Sequence, residues 1–172
     1  MYKILVVDDE SIEREGISFL IEKYKFPLEV AQATNGKTAL EYMRTHPIDI
    51  LLTDVKMPQM DGLELARHTF EKYPDVRILV FSAYGEFEFA KKAMAAQAVS
   101  YLLKPIEVDE FQRVMTQIIA QCDELSEKKK DEQQRDEEVR QQLLFRLVTG
   151  TGLGKARITD DLFPGQTLCL LH

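Results

Sequence analysis

Ile48-Asp-Ile-Leu-Leu-Thr-Asp54-Val-Lys56-Met-Pro58-Gln-Met-Asp61-Gly62 is the stretch on which the reading of this chain turns. An apolar run, Ile48 to Thr53, ends in an acidic residue and then in a Met-Pro turn, the pattern of a buried strand whose carboxyl end meets solvent. The same pattern occurs twice more. Lys3 to Val7 ends in Asp8-Asp9, and Val99 to Leu103 ends in Lys104-Pro105. With Leu28 to Ala33 and Val76 to Phe81 these make five strand candidates, separated by segments of helical period. That alternation predicts an α/β fold built on a five-stranded parallel sheet. In such a sheet the carboxyl ends of the strands share one edge, where ligands bind.

The helical segments carry one apolar face each. Leu63, Ala66 and Phe70 repeat at i, i+3, i+7, as do Phe87, Ala90 and Met94, and these positions are expected to be core. A last helix is expected from about Glu107, with Phe111, Val114, Met115, Ile118, Ile119 and Cys122 inward. Ser126 to Glu138 holds no apolar residue and reads as a solvated helical extension or linker. Apolar residues return at Val139, Leu143, Leu144 and Leu147, before Gly150, Gly152 and Gly154 are expected to stop the helix. The expected organisation is therefore a domain over residues 1–120, a helical extension over 121–149, and the start of a further, incomplete domain over 150–172.

Composition narrows the function. At 172 residues with 45% hydrophobic residues, the chain has the material for one real core. A net charge of -7 argues against nucleic acid held on a broad basic face. Cys122 and Cys169 form no CxxC pair, His46 and His68 have no partner at metal spacing, and ordinary reduced thiols are expected. No apolar run approaches the roughly 18 residues of a membrane span, so a cytoplasmic protein without membrane contact is expected. Gly150 to Lys155 has the wrong spacing for a phosphate loop, with Ala156 where a hydroxyl residue is needed.

Three carboxylates brought together at the sheet edge repel unless a cation neutralises them. Magnesium suits that role, since it prefers hard oxygen ligands and retains several waters. Asp54, on the central strand candidate, then has the character of a carboxylate nucleophile able to form an acyl phosphate. Lys104 would pair with the resulting phosphate, and Ser82 would offer a hydroxyl to the same oxygens. Each residue has a plainer alternative: Asp54 and Ser82 as turn or helix-cap residues, Lys104 as a surface lysine, Tyr101 as a half-buried strand tyrosine.

VVDDE, LLTDVKMPQMDG, VFSAYGEFEFAKKAM and YLLKPI together resemble the signature blocks of the response-regulator receiver domain of two-component signalling, over residues 1 to about 120. The resemblance implies a doubly wound, flavodoxin-like sheet of order 2-1-3-4-5, an order that the strand spacing alone would not supply. It implies phosphorylation at Asp54, magnesium held directly by Asp9, through water by Asp8, and by the main-chain carbonyl of Lys56 alongside Asp54. Ser82 and Lys104 would hold the phosphoryl oxygens, with small Ala83 admitting its N–H. Tyr101 matches the aromatic that turns inward as Ser82 moves, and the Lys104-Pro105 bond is expected to be cis. The implied partners are a sensor histidine kinase and a second copy of the chain, paired through the fourth expected helix, the fifth strand and the last helix.

The charged helix and LLFRLVTG segment resemble, more loosely, transcriptional regulators of the AraC type. On that resemblance the chain is expected to be a regulatory fragment that reaches DNA only through a missing C-terminal domain. The competing reading is a magnesium-dependent phosphatase working through an aspartyl phosphate. That class needs an Asp-x-Asp after the first strand, where this chain has Asp8-Asp9-Glu10.

Overall fold

The computed structural model describes residues 1–83 and 100–149. The described elements, in chain order, are β1 (Tyr2–Val7), α1 (Ser11–Lys23), β2 (Leu28–Ala33), α2 (Gly36–Thr45), β3 (Ile50–Asp54), α3 (Gly62–Lys72), β4 (Arg77–Ala83), β5 (Ser100–Lys104) and α4 (Val108–Thr149). All neighbouring strands are parallel, in the order β2-β1-β3-β4-β5. The expected doubly wound receiver-like sheet is therefore present. The expected helix through Phe87, Ala90 and Met94, the Gly150 to Gly154 stop and Cys169 lie outside the described residues.

Buried strands read as continuous apolar runs because both faces are covered, and alternation along each strand assigns the faces. Ile4 and Val6, Ile50 and Leu52, Leu79 and Phe81, and Leu102 face Ile17 and Ile21 of α1 and Phe111, Val114, Met115, Ile118 and Cys122 of α4. Leu5 and Val7, Leu51, and Ile78 and Val80 face Ala39 and Met43 of α2 and Leu65 and Ala66 of α3. Phe26 meets Phe111 edge-on, with ring centroids 6.1 Å apart.

Strand boundaries shift by one or two residues from the sequence expectation. Asp54 and Lys104 are themselves the last residues of β3 and β5 rather than the residues after them. The apolar face of α3 needs a larger correction. Its buried residues are Gly62, Leu65, Ala66 and Thr69, while Phe70 is 37% exposed. Thr69 shares the face of Gly62, Leu65 and Ala66 at i, i+3, i+4, i+7, where its hydroxyl reaches the Met43 sulfur at 3.9 Å, and Phe70, one position round, turns toward solvent.

Two caps set the helix starts that matter most. Asn35 and Thr38 form a reciprocal capping box at α2. Asp61 Oδ1 accepts the Glu64 amide at 2.7 Å at the start of α3.

The chain divides into two compact units, Met1–Leu125 and Ser126–His172. The first holds the sheet and its core. In the second, the described residues continue α4 as regular helix through Thr149. Ser126 to Glu138 is helical, and Glu127 to Glu138 is exposed. Beyond it Leu143 and Leu147 are half-buried while Val139, Leu144, Phe145 and Val148 are exposed.

Candidate functional site

Alternation also places the charged residues at the strand ends. Asp8 continues the parity of Ile4 and Val6, Asp54 that of Ile50 and Leu52, and Lys104 that of Leu102. All three therefore project on the α1/α4 side of the sheet's carboxyl edge. The Lys104 Nζ lies 2.9 Å from Asp8 Oδ2 and 3.0 Å from Asp54 Oδ1, an ammonium shared between two carboxylates. The remaining oxygens are engaged as well: Asp8 Oδ1 accepts the Glu10 amide at 2.8 Å, and Asp54 Oδ2 accepts the Lys56 amide at 2.8 Å. Beneath the ammonium is the ring of Phe81, 4.6 Å away and buried.

Among the described residues the charge balance is incomplete. Asp8 and Asp54 are both buried, with one lysine between them. Burial is the main influence on Asp54 and holds its carboxyl above the ordinary 3.8; the Lys104 hydrogen bond and charge pull the other way, and Asp8 adds repulsion. For Lys104, burial is the largest single influence and acts downward. The hydrogen bonds and charges of Asp8 and Asp54 together outweigh it, so the ammonium titrates above 10.5.

The other expected site residues fall around this pair. Asp9 is exposed, at the mouth of a cleft of about 390 Å³ that it lines with Val55, Lys56, Met57, Pro58, Asp61 and Leu63. Ser82 is buried in β4, next to Phe81, the register partner of Asp54. By alternation Ser82 and Tyr101 belong to the opposite, α2/α3 side of the sheet, and Tyr101 packs against that core. Its hydroxyl is buried without a hydrogen-bond partner among the described residues. Ala83 ends β4 in register with Lys104, and the Lys104-Pro105 bond is cis.

Three further contacts shape the site without any strong signal in sequence. A Cβ on Gly62 would overlap the Asp54 carbonyl oxygen and lie 2.8 Å from Thr53 Oγ1, so only glycine lets α3 start against the end of β3. Asp61-Gly62 reads as a turn in sequence, but nothing there reveals this close approach. Arg14 Nη1 donates to the Asp8 carbonyl at 2.6 Å. A lone arginine in an amphipathic helix gives no hint of that role, and neither does Phe81 in a hydrophobic strand.

Among the described residues no three His, Cys, Asp or Glu side chains are grouped to hold a metal ion. The donor chemistry nonetheless fits a hard divalent cation: two buried carboxylates under-neutralised by one ammonium, with a third acid on the rim. Cys122 is a buried free thiol, pushed up to about 11 chiefly by burial, and stays protonated. His46 stacks on Tyr42 and His68 lies beside Glu64, both partly or fully open to solvent.

An acidic pair, a strand-end aspartate and a strand-end lysine followed by proline at one edge of a 2-1-3-4-5 sheet define a receiver domain. Residues 4–116 match the response regulator receiver domain family, and the chain belongs to it. It is 41% identical over 122 residues to the uncharacterized transcriptional regulatory protein YesN of Bacillus subtilis, covering 70% of this chain and 33% of that protein. Among solved structures it is similar to the receiver domain of AraT, a response regulator from Geobacillus stearothermophilus, with 37% identity and a TM-score of 0.66, covering 74% of this chain and 98% of that one. A two-component transcriptional regulator AraC from Clostridium phytofermentans is similar at 35% identity and a TM-score of 0.64, over 71% of this chain and 95% of that one. The chain spans about a third to under a half of the length of the first curated relatives it matches. No helix among the described residues is long and apolar enough to cross a membrane.

Proposed function

We propose that the chain is a phosphorylation-controlled switch, in which Asp54 accepts a phosphoryl group from the phosphohistidine of a sensor histidine kinase. The observation that carries this reading is the single Lys104 ammonium held between the Asp8 and Asp54 carboxylates. An Asp54 oxygen attacks phosphorus, the P–N bond to the donor imidazole breaks, and the imidazole leaves with a proton from solvent. Burial of Asp54 keeps water from competing for the phosphoryl group. Lys104, already within reach of Asp54 Oδ1, pairs with the new phosphate, and the Ser82 hydroxyl and Ala83 N–H serve its other oxygens.

Asp8, Asp9, Asp54 and the Lys56 carbonyl would hold magnesium. When bound, it would neutralise the excess negative charge of the site and of the incoming phosphoryl oxygens.

The output side of the reading rests on relatives named as transcriptional regulators. Phosphorylation favours the state with the Ser82 and Lys104 contacts, turns Tyr101, and pairs two copies through the helix expected from sequence before β5, β5 itself and α4. DNA is then reached through a further domain, in the cytoplasm. The 150–172 segment is read as the start of such a domain.

The test is labelling by acetyl phosphate with magnesium. Wild type is labelled and Asp54→Asn is not; undiminished labelling of Asp54→Asn at another residue refutes the assignment. Steady turnover of a phosphomonoester that survives Asp54→Asn but is lost in Asp8→Asn would favour the phosphatase reading.

A further inference from the structure

The loop that carries both Asp8 and Asp9 is held from α1 by a closed set of side-chain bonds. The Arg14 Nη1 donates to the Asp8 carbonyl at 2.6 Å, and its Nε donates to Gln32 Oε1 on β2 at 3.3 Å. Gln32 Nε2 donates to Ser18 Oγ at 3.0 Å, and Ser18 Oγ donates back to the Arg14 carbonyl at 2.8 Å. The guanidinium is thus fixed at two of its nitrogens, by partners on two different elements. The ladder of β1 ends at Val7, whose register partners are Ala33 and Thr53. The Asp8 carbonyl therefore lies past the last strand pairing, and Asp8 is buried, so its oxygen needs a donor from elsewhere. Arg14 supplies that donor.

We infer that Arg14 is a positioning residue for the acidic loop, held in place by Gln32 and Ser18, and that it sets the cation affinity of the Asp8-Asp9 pair. The inference rests on the phosphoacceptor reading above. Its physical basis is that the orientation of Asp8 is determined at both ends. The carboxylate is held by the Glu10 amide and Lys104, while the carbonyl is held by Arg14. Freeing the carbonyl lets the peptide after Asp8 rotate, which carries Asp9 with it and loosens the Glu10 amide from Asp8 Oδ1. Residues that orient metal ligands from behind typically govern affinity by about 10- to 100-fold. The Asp8 carbonyl and the Gln32 side-chain amide that hold the guanidinium are uncharged, so this network brings no further carboxylate to compete for the cation.

The experiment compares wild type, Arg14→Met, Arg14→Lys and Gln32→Leu by three measurements: amide hydrogen exchange, titration with magnesium chloride, and acetyl phosphate labelling across magnesium concentration. Arg14→Met is expected to speed exchange of the Glu10 amide by about tenfold and weaken magnesium binding by about tenfold, with labelling restored at saturating magnesium. Arg14→Lys recovers part of both, because an ammonium can reach the carbonyl but cannot also hold Gln32. Gln32→Leu moves both in the same direction by less. If Arg14→Met matches wild type in Glu10 exchange and magnesium affinity while wild type is labelled normally, the inference falls and the phosphoacceptor reading stands. Exchange that accelerates throughout β1 and α1 would make Arg14 merely structural and also overturns it. If wild type is not labelled, the phosphoacceptor reading falls, and the Glu10 exchange comparison still decides whether Arg14 orders the loop.

Discussion

Lys104→Met removes the charge that Asp8 and Asp54 share, and that stands over the Phe81 ring, while keeping an unbranched aliphatic side chain at the position. At an effective dielectric of about 20, each contact near 3 Å corresponds to about 5 kcal/mol of Coulomb attraction. Desolvation and the repulsion between the two carboxylates cancel much of it. Removing one partner of a buried pair costs about 3–5 kcal/mol, and the Lys104 side chain is 20% exposed, which points to the lower end. A ceiling follows independently. Without the ammonium, one carboxyl can escape by taking a proton, and lifting an ordinary value of 3.8 to pH 7 costs no more than about 4 kcal/mol at 1.36 kcal/mol per unit. At pH 5 the same escape caps the loss below about 2 kcal/mol. Urea unfolding followed by circular dichroism, with EDTA present, is therefore expected to show a deficit of about 3 kcal/mol at pH 7 that shrinks at pH 5. A variant within about 0.5 kcal/mol of wild type at pH 7, or a deficit that fails to shrink, refutes the claim that this lysine neutralises a buried pair.

Asp54→Asn should change stability with pH in a defined direction. Because the folded carboxyl titrates above its unfolded value, its contribution is fully present below 3.8 and is lost as pH rises through the folded value, so the variant gains on wild type between pH 3 and pH 7 in urea midpoints. A relative gain on acidification would contradict this. Gly62→Ala forces a Cβ into the Asp54 carbonyl oxygen and should cost about 3 kcal/mol or more, while slowing acetyl phosphate labelling. Wild-type-like urea stability would show that α3 can retreat at no cost. Tyr101→Phe removes a buried hydroxyl that has no hydrogen-bond partner among the described residues, so thermal stability should be unchanged or raised by up to about 1 kcal/mol. A loss greater than about 1 kcal/mol would mean the hydroxyl has a partner.

The sheet was legible because its strands are buried on both faces and so read as unbroken apolar runs between helical segments. The helix faces were less so. In α3, Phe70 fits the apolar repeat better than Thr69 does, yet Thr69 is the buried one, and its hydroxyl finds a sulfur to bond. That contact depends on α2, far away in sequence. At the site, Asp8, Asp54 and Lys104 were legible from their positions at strand ends, whereas their arrangement was not. Sequence suggests three acids in need of a cation; the structure sets Lys104 between two of them and leaves Asp9 exposed on the rim. Arg14 and Gly62 act through backbone carbonyls, which carry no residue-type signal at all.

The alternation of the strands sorts the proposed switch into two groups. Asp8, Asp54, Phe81 and Lys104 belong to the α1/α4 side of the sheet, and Ser82 and Tyr101 to the α2/α3 side. Among the described residues, a change begun at Asp54 has two routes to Tyr101 through the sheet, along the adjacent pair Phe81-Ser82 in β4 or along β5 from Lys104. The two routes make different demands. The β4 route requires the Ser82 hydroxyl to cross toward the phosphate and vacate space beside Tyr101, whereas the β5 route requires Lys104 to pull its own strand. Ser82→Ala therefore separates them. If it leaves Lys104 pairing with the phosphate but uncouples Tyr101, read by the ring's fluorescence or NMR lines with a beryllofluoride mimic, the signal passes through β4. If the Tyr101 lines still move as in wild type, it passes through β5.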